Sequence, residues 1–265
     1  KEKNEVLFCS MPIPKAILVL AVPTVISQII TIIYNMADTF FIGQLGEPRQ
    51  VAAATLNMPL FMFMTALSNL FGVGGSSLIS RFLGANEHKK ASHCCAFCIW
   101  TTTVSAFLYG IFMLLFRPVL MPVLGANEET LPLASSYLFW TIGIGAVPTV
   151  LNPALAHLIR AEGYSKQASF GVAFGGVLNI LLDPLFIYGL RLQITGAAIA
   201  TLISNTIAML YFLHFIWKIR ATSVLTLSPR MYRITDHIPS EVLSIGLPSF
   251  LISMMGTVSN TVLNH

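Results

Sequence analysis

Residues 16–43 read AILVLAVPTVISQIITIIYNMADTFFIG, a run in which Asp38 is the only charged side chain. A helix needs about 20 consecutive apolar residues, each rising 1.5 Å, to cross the hydrocarbon core of a bilayer. A buried helix of a soluble protein would be shorter and would carry one polar face. The run therefore predicts a transmembrane helix, long enough to tilt or to protrude.

Runs of this kind recur along the chain and are separated by short polar links. The predicted spans are residues 16–43, 51–78, 92–117, 131–158, 167–190, 196–217 and 241–263. Of the 265 residues, 55% are hydrophobic and only 10% are charged, whereas soluble domains carry about 25% charged residues. The runs are continuous rather than alternating, which favours helices over barrel strands. We predict an all-α membrane protein that crosses the lipid bilayer several times.

The basic residues predict the orientation of the chain. With the N-terminus inside, 12 of the 15 Lys and Arg residues lie in inside segments, and only Arg49, Arg117 and Arg191 lie outside. Cytoplasmic loops carry such an excess of basic residues. We therefore expect a multi-pass protein of the plasma membrane with a cytoplasmic N-terminus. Because the basic charge is spread over four cytoplasmic segments, we expect no nucleic-acid partner.

An internal repeat predicts the domain organisation. Residues 20–23 (LAVP) match residues 245–248 (IGLP), and Asn35 matches Asn260, at one offset of 225 residues. The longest link, 218–240, is basic and contains two prolines. Transporters are often built from repeated halves. We expect a six-helix lobe at 1–217, a cytoplasmic linker at 218–240 and the first helix of a second lobe at 241–265. We also expect both ends to be truncations of a longer protein.

Two acids, Asp38 and Asp183, fall within the predicted spans, whereas the other nine lie in the tails, in the links or at the edge of a span. An ionised carboxylate in hydrocarbon is costly, so each must face protein or water and is by default a functional candidate. The alternative for Asp38 is an acid that snorkels to the nearby membrane surface. In the first span, polar residues recur at spacings of four, three, four and three and form one stripe: Thr24, Gln28, Thr31, Asn35 and Asp38.

The fifth and sixth spans carry matching polar positions. Gly171, Gly175, Asn179 and Asp183 recur every fourth residue, and Thr201 and Asn205 lie one turn apart. Small residues allow close approach of a neighbouring helix. Carboxylate, amide and hydroxyl oxygens suit a hard cation such as Na⁺. They equally suit a proton, since a desolvated carboxylate favours its neutral form.

Pro23 and the cysteines each have a structural and a functional interpretation. Pro23 breaks the helical hydrogen bonding of the first span and can act either as a conformational hinge or as a static kink. The four cysteines, Cys9, Cys94, Cys95 and Cys98, form no convincing disulfide framework or ligand set. We interpret them as packing residues and expect no metal beyond Na⁺ at the cation site.

Five sequence motifs resemble the MATE (multidrug and toxic compound extrusion) family. They are residues 35–43 (NMADTFFIG), 75–86 (GSSLISRFLGAN), 160–164 (RAEGY), 178–188 (LNILLDPLFIY) and 196–201 (GAAIAT). The resemblance covers residues 12–265 in order. Within the family, the chain is most similar to the bacterial branch of DinF-like and MepA-like exporters.

The resemblance implies a fold and a function. MATE proteins have twelve helices in two lobes and export cationic, often aromatic compounds by alternating access, driven by Na⁺ or H⁺. The chain would then be the six-helix N-lobe and the first helix of the C-lobe. No cofactor is expected, the coupling ion would be Na⁺ or H⁺, and the protein would act as a monomer on small cationic drug-like substrates.

The resemblance also implies a cation site. Family members use an acid in the first helix, an Asn and an Asp in the fifth and a Thr in the sixth. The matching positions here are Asp38, Asn179, Asp183 and Thr201, whereas Leu263 occupies the repeat position of Asp38. We predict that further polar residues line the substrate cavity, namely Gln28, Thr31, Asn35, Asn152 and Asn205.

Other functions remain open but are less favoured. A lipid-linked precursor flippase of the same superfamily would need a basic cavity, and no Lys or Arg lies deep within a predicted span. A seven-helix receptor would have its N-terminus outside. A membrane enzyme is disfavoured because the sequence has neither a His-Glu-x-x-His nor a Gly-x-Gly-Asp motif.

Overall fold

Long apolar helices make up almost all of the described chain. The structure is a computed structural model that describes residues 11–234 and 237–263, with side chains described up to residue 255. Parts of all three predicted domains (1–10, 235–236 and 264–265), together with Cys9, lie outside the described residues. The helices are α1 Ile13–Gly43, α2 Pro48–Gly84, α3 His88–Val123, α4 Leu131–Leu138, α5 Ala146–Ala161, α6 Ser165–Pro184, α7 Gln193–Ile219 and α8 Ile238–Leu263.

Most helices begin before the predicted apolar spans, and several also end after them. The second span was predicted at 51–78, whereas α2 runs from Pro48 to Gly84. Proline at a helix start loses no hydrogen bond, since the first N–H groups have no partner within the helix. Polar residues past the hydrocarbon core continue the backbone pattern until a turn ends it, so the apolar run gives only the minimum length of the helix.

The fourth predicted span, 131–158, is not one straight helix. The α4 helix continues as a π-helical segment, Phe139–Ile144, and then meets α5 at an angle of 51°. Pro148 has no N–H to donate to the carbonyl four residues earlier, which weakens the helix at this point. At Gly145, a Cβ atom would collide with the Thr141 carbonyl oxygen. Within residues 11–234 and 237–263, six helices are long and apolar enough to span a membrane, and the number rises to seven if this bent pair forms one span.

The α6 helix also ends in a π-helical segment, Leu185–Gly189, directly after Pro184. Pro184 cannot donate a hydrogen bond to the carbonyl four residues earlier, so the regular helix ends there. Such π-helical turns are frequent at functional sites. The irregularity here directly follows Asp183.

The α6 helix packs between α1 and α7 through its glycines. A Cβ at Gly171 would collide with the ring of Phe212 on α7, and one at Gly176 would lie 3.1 Å from Cδ1 of Tyr34 on α1. The absence of these side chains lets the helices approach closely, as in membrane helix pairs with small interface residues. Both neighbours of α6 carry candidate site residues.

The α8 helix packs along α2. Gly74 of α2 lies against the Val242 carbonyl, and Gly246 of α8 lies against the Leu70 carbonyl. Pro248 is the eleventh residue of α8, just as Pro23 is the eleventh residue of α1. The side chains of Asn260 and Leu263, which are the repeat positions of Asn35 and Asp38, lie outside the described ones.

The three described cysteines lie in the protein interior. Cys94, Cys95 and Cys98 on α3 are fully buried. The Cys94 thiol is 3.9 Å from the Gly75 carbonyl on α2, and the Cys95 thiol is 3.9 Å from the Thr226 carbonyl. These thiols therefore pack where α2, α3 and the linker meet.

The first half of the linker after α7 is docked on the helices. The Glu162 carboxylate, at the end of α5, accepts hydrogen bonds from the Ser223 hydroxyl and from the backbone N–H groups of Val224 (3.2 Å) and Leu225. The side chains of Val224 and Leu225 are buried. Burial raises the pKa of Glu162 above its usual value, although these donors favour the ionised form.

Candidate functional site

Asn179 and Asp183 lie one turn apart on α6 and are among its most buried polar side chains, with exposed fractions of 2% and 0%. The Asn179 Nδ2 atom donates to Asp183 Oδ1 over 3.4 Å. A buried carboxylate needs such donors, because it has lost the hydrogen bonds of water. The spacing of four residues on one helix is enough to bring the two side chains together.

Thr201 joins this pair from α7. Its Oγ1 atom lies 3.3 Å from the Asn179 Nδ2 atom, which donates to it. The α7 helix comes close because Gly196 packs against the backbone of Phe186, where a Cβ would approach to 2.7 Å. One amide group therefore bridges α6 and α7.

Asp38 approaches the same cluster from α1. Its carboxylate lies close enough to that of Asp183 for the two charges to interact. Asp38 Oδ1 is buried without a hydrogen-bond partner, which disfavours the snorkelling alternative. Within residues 11–234 and 237–255, the salt bridges are Arg49–Glu47 and Lys90–Glu87, so neither intramembrane acid has a cationic partner.

Three buried oxygen atoms at this cluster accept no hydrogen bond from the described residues. They are Asp38 Oδ1, Asn179 Oδ1 and Asp183 Oδ2. Buried polar atoms are nearly always paired, so each exception needs an explanation. Two neighbouring carboxylates in a dry environment repel each other unless a cation or a proton compensates their charge. Carboxylate and amide oxygens of this kind fit either Na⁺ or H⁺ as the compensating ion.

Two tyrosines lie around the two acids and were not predicted from the sequence. Tyr34 lies one turn before Asp38 on α1, and Tyr137 comes from α4; both side chains lie in the neighbourhood of Asp38. Tyr137 is also near Asp183 and is almost fully buried. The four-residue spacing from Asp38 could have indicated Tyr34. Nothing local in the sequence indicated Tyr137.

Asn152 and Asn205, predicted to line a cavity, form a second polar group. Asn152 Nδ2 donates to Asn205 Oδ1 over 3.0 Å, and Asn205 Nδ2 donates to Thr149 Oγ1 over 3.4 Å. This group links α5 to α7. Asn205 lies one turn beyond Thr201, so it continues the polar face of α7 away from the acids.

The remaining predicted cavity residues lie on α1. Gln28 and Asn35 are exposed, and Thr31 is half-buried and donates to the carbonyl of Ser27 over 2.9 Å. Among the described residues, no hydrogen bond joins these three side chains to Asp38 or Asp183. The most buried polar side chain of α1 is instead Ser27, which accepts a 3.4 Å hydrogen bond from the Arg160 guanidinium.

Pro23 lies in the middle of α1, one turn before Ser27. Its ring nitrogen has no hydrogen, so the carbonyl of Val19 loses its helical donor. The α1 helix nevertheless continues to Gly43 without interruption. Arg160 therefore contacts α1 just after the point where its hydrogen bonding is weakest.

Comparisons with known proteins support one family. The MatE family model matches residues 23–185. Multidrug export protein MepA of Staphylococcus saprophyticus is 32% identical over 264 residues, covering 100% of this chain and 58% of that protein. MepA of Staphylococcus aureus gives the same identity and coverage. The chain thus spans less than two thirds of the length of these relatives.

Solved structures agree. A MATE protein in the straight conformation has a TM-score of 0.90 and 29% identity, covering 100% of this chain and 58% of that one. A MATE protein in the bent conformation has a TM-score of 0.84 and 28% identity, covering 99% and 56%. These findings confirm the predicted resemblance and the all-α membrane fold. The chain belongs to the MATE family, a family of membrane transporters rather than enzymes.

Proposed function

We propose that this chain is the first lobe of a cation-coupled multidrug antiporter. The three buried oxygens without partners at Asp38, Asn179 and Asp183 carry this proposal. Relatives that cover the whole chain are named multidrug export proteins, which supports drug-like substrates. We propose in addition that these substrates are cationic. In this proposal, residues 1–217 form the lobe, 218–240 the linker and 241–265 the start of a second lobe.

The coupling step follows from the charges. Empty of cations, the site holds two neighbouring acids with no cationic partner among the described residues. A bound Na⁺ would interact with the free oxygens and with Thr201, whereas a proton would neutralise one carboxylate. Either ion would draw α1 towards α6 and α7. A ligand shifts a conformational equilibrium only by its difference in affinity for the two states. In this proposal the cation affinity of the site changes when α1 moves, because Asp38 lies on α1.

Pro23 supplies the place where α1 could bend. The helix lacks one backbone hydrogen bond there, and Asp38 lies 15 residues further along the same helix. Solved MATE structures include one in a straight and one in a bent conformation, and this structure has the higher TM-score with the straight one. We infer that cation binding at Asp38 biases bending at Pro23 and so couples ion entry to drug release by alternating access.

Ethidium efflux tests the proposal. Cells or vesicles containing the complete transporter would be given an inward Na⁺ gradient and, separately, a pH gradient alone. We expect efflux under one gradient and its collapse in Asp38→Asn, which keeps the side-chain volume but removes the charge. No efflux under either gradient, with the protein present in the membrane, would contradict the drug-antiporter function and favour a flippase for lipid-linked precursors.

A further inference from the structure

The second half of the linker lies at the membrane surface. The linker joins the end of α7, Ile219, to the start of α8, Ile238. Because both helices span the membrane, the residues between them stay on one face of it. Trp217, in the last turn of α7, is 53% exposed, and the Arg220 guanidinium lies 4.8 Å from its ring. Tryptophan is enriched at the depth of the lipid headgroups.

The linker divides into a docked and an exposed part. Residues 223–228 are buried or half-buried, whereas all six residues of 229–234 are exposed. The Tyr232 ring stacks on Phe97 of α3 with centroids 5.9 Å apart. This contact holds the exposed segment against the first third of α3, so the segment has a fixed place on the helices.

The exposed segment combines basic and apolar side chains. Met231 is 36% and Ile234 is 68% exposed, and Arg230 and Arg233 alternate with them. Segment 229–234 contains no acid, and neither arginine belongs to a salt bridge within the described residues. Apolar side chains beside unpaired arginines are typical of segments that lie in the interface of an anionic membrane.

We propose that segment 229–234 is a lipid-binding surface: Met231 and Ile234 enter the adjacent leaflet, and Arg230 and Arg233 bind the headgroups of anionic phospholipids. The predicted orientation makes this leaflet the cytoplasmic one. The surface would hold the linker between the two lobes at a fixed depth. The proposal does not depend on the coupling ion or on the substrate.

A fluorescent probe at Met231 tests this surface. Met231→Cys, in a background in which Cys9 and any cysteine beyond this chain are replaced by serine, would be labelled with an environment-sensitive dye. Cys94, Cys95 and Cys98 are fully buried and should not react. The complete transporter would be placed in nanodiscs of phosphatidylcholine, with or without phosphatidylglycerol. We expect the emission to shift to shorter wavelength in the anionic nanodiscs and to return at high salt, which screens surface charges.

Charge variants supply the control. Arg230→Gln with Arg233→Gln should abolish the shift, while Lys89→Gln with Lys166→Gln, which removes the same charge from other cytoplasmic positions, should keep it. All four side chains lie outside the core, and size-exclusion profiles would verify folding. Equal emission in neutral and anionic nanodiscs would mean that the segment packs on protein, and would overturn the proposal. A shift that persists without the two arginines would overturn it too.

Discussion

Asn179 donates a 3.3 Å hydrogen bond to Thr201 across the interface of α6 and α7. The same amide nitrogen also donates to Asp183, whereas the amide oxygen stays buried and accepts nothing from the described residues. The amide nitrogen of Asn179 therefore has its acceptors, whereas the amide oxygen has no donor. A cation is the kind of ligand that would complete it.

Thr201 should set the affinity for the coupling ion. Thr201→Val keeps the shape of the side chain but removes an oxygen, so we expect the half-saturating ion concentration for efflux to rise about 10–100-fold. Thr201→Ser retains the hydroxyl and should remain close to wild type. The measurement is ethidium efflux as a function of ion concentration. Identical half-saturation in the valine variant would show that the hydroxyl has no part in ion binding.

Pro23 should affect the bending of α1 rather than the affinity for ethidium. Pro23→Ala restores a backbone donor in α1, which stabilises the straight helix by up to about 3 kcal/mol. We expect slower efflux with unchanged ethidium affinity. Pro118→Ala, at another proline within a helix, on α3, serves as the control and should leave turnover unchanged. Normal turnover in Pro23→Ala would make this proline a static kink.

The docked position of the linker should be more stable when Glu162 is protonated. Because burial raises its pKa, the docked form binds a proton more tightly than the undocked form. Docking therefore becomes more favourable as the pH falls through the raised pKa of Glu162. This stabilisation is complete below the usual glutamate pKa of 4.5. Hydrogen exchange at Val224 and Leu225 reports docking.

Two variants at Glu162 separate its charge from its hydrogen bonds. Glu162→Gln keeps an acceptor without the charge and should preserve protection of both amides. Glu162→Ala removes the acceptor and should increase their exchange. Equal protection in the alanine variant would show that the carboxylate does not hold the linker.

Gly171 should be required for packing of α6 on α7. Gly171→Ala would place a methyl group against Phe212, which is fully buried and cannot move aside. We expect a loss of about 1–3 kcal/mol in stability, seen as a lower midpoint of thermal unfolding in detergent. Gly43→Ala is the matched control, since no atom lies within 4 Å of its added Cβ. Equal midpoints for the two variants would contradict this packing.

Local spacing made part of the candidate site predictable. Asn179 and Asp183 share one helix face by their four-residue interval, and Asp38 stands out because acids are rare in membrane spans. Tyr137 was missed because its proximity to the acids depends on how α4 packs in the folded chain, which local spacing does not encode. Gln28 and Asn35 share a helical stripe with Asp38, but periodicity does not specify which neighbour covers each residue.

The position of the linker was also only partly predictable from the local sequence. Its basic composition predicted a cytoplasmic position, but docking through Glu162 joins residues 61 and 62 positions apart. Such a contact depends on the packed helix ends and leaves no pattern in the local sequence.

The most direct test of the cation site is gradient-driven ethidium transport by the Asp183→Asn variant. Asparagine has the same shape as aspartate but cannot be ionised. The complete transporter would be reconstituted in proteoliposomes beside wild type and Glu128→Gln, a variant of an exposed acid between α3 and α4. We predict that Asp183→Asn transports no faster than protein-free liposomes, whereas Glu128→Gln matches wild type. Transport by Asp183→Asn at the normal rate would contradict the assignment of the site.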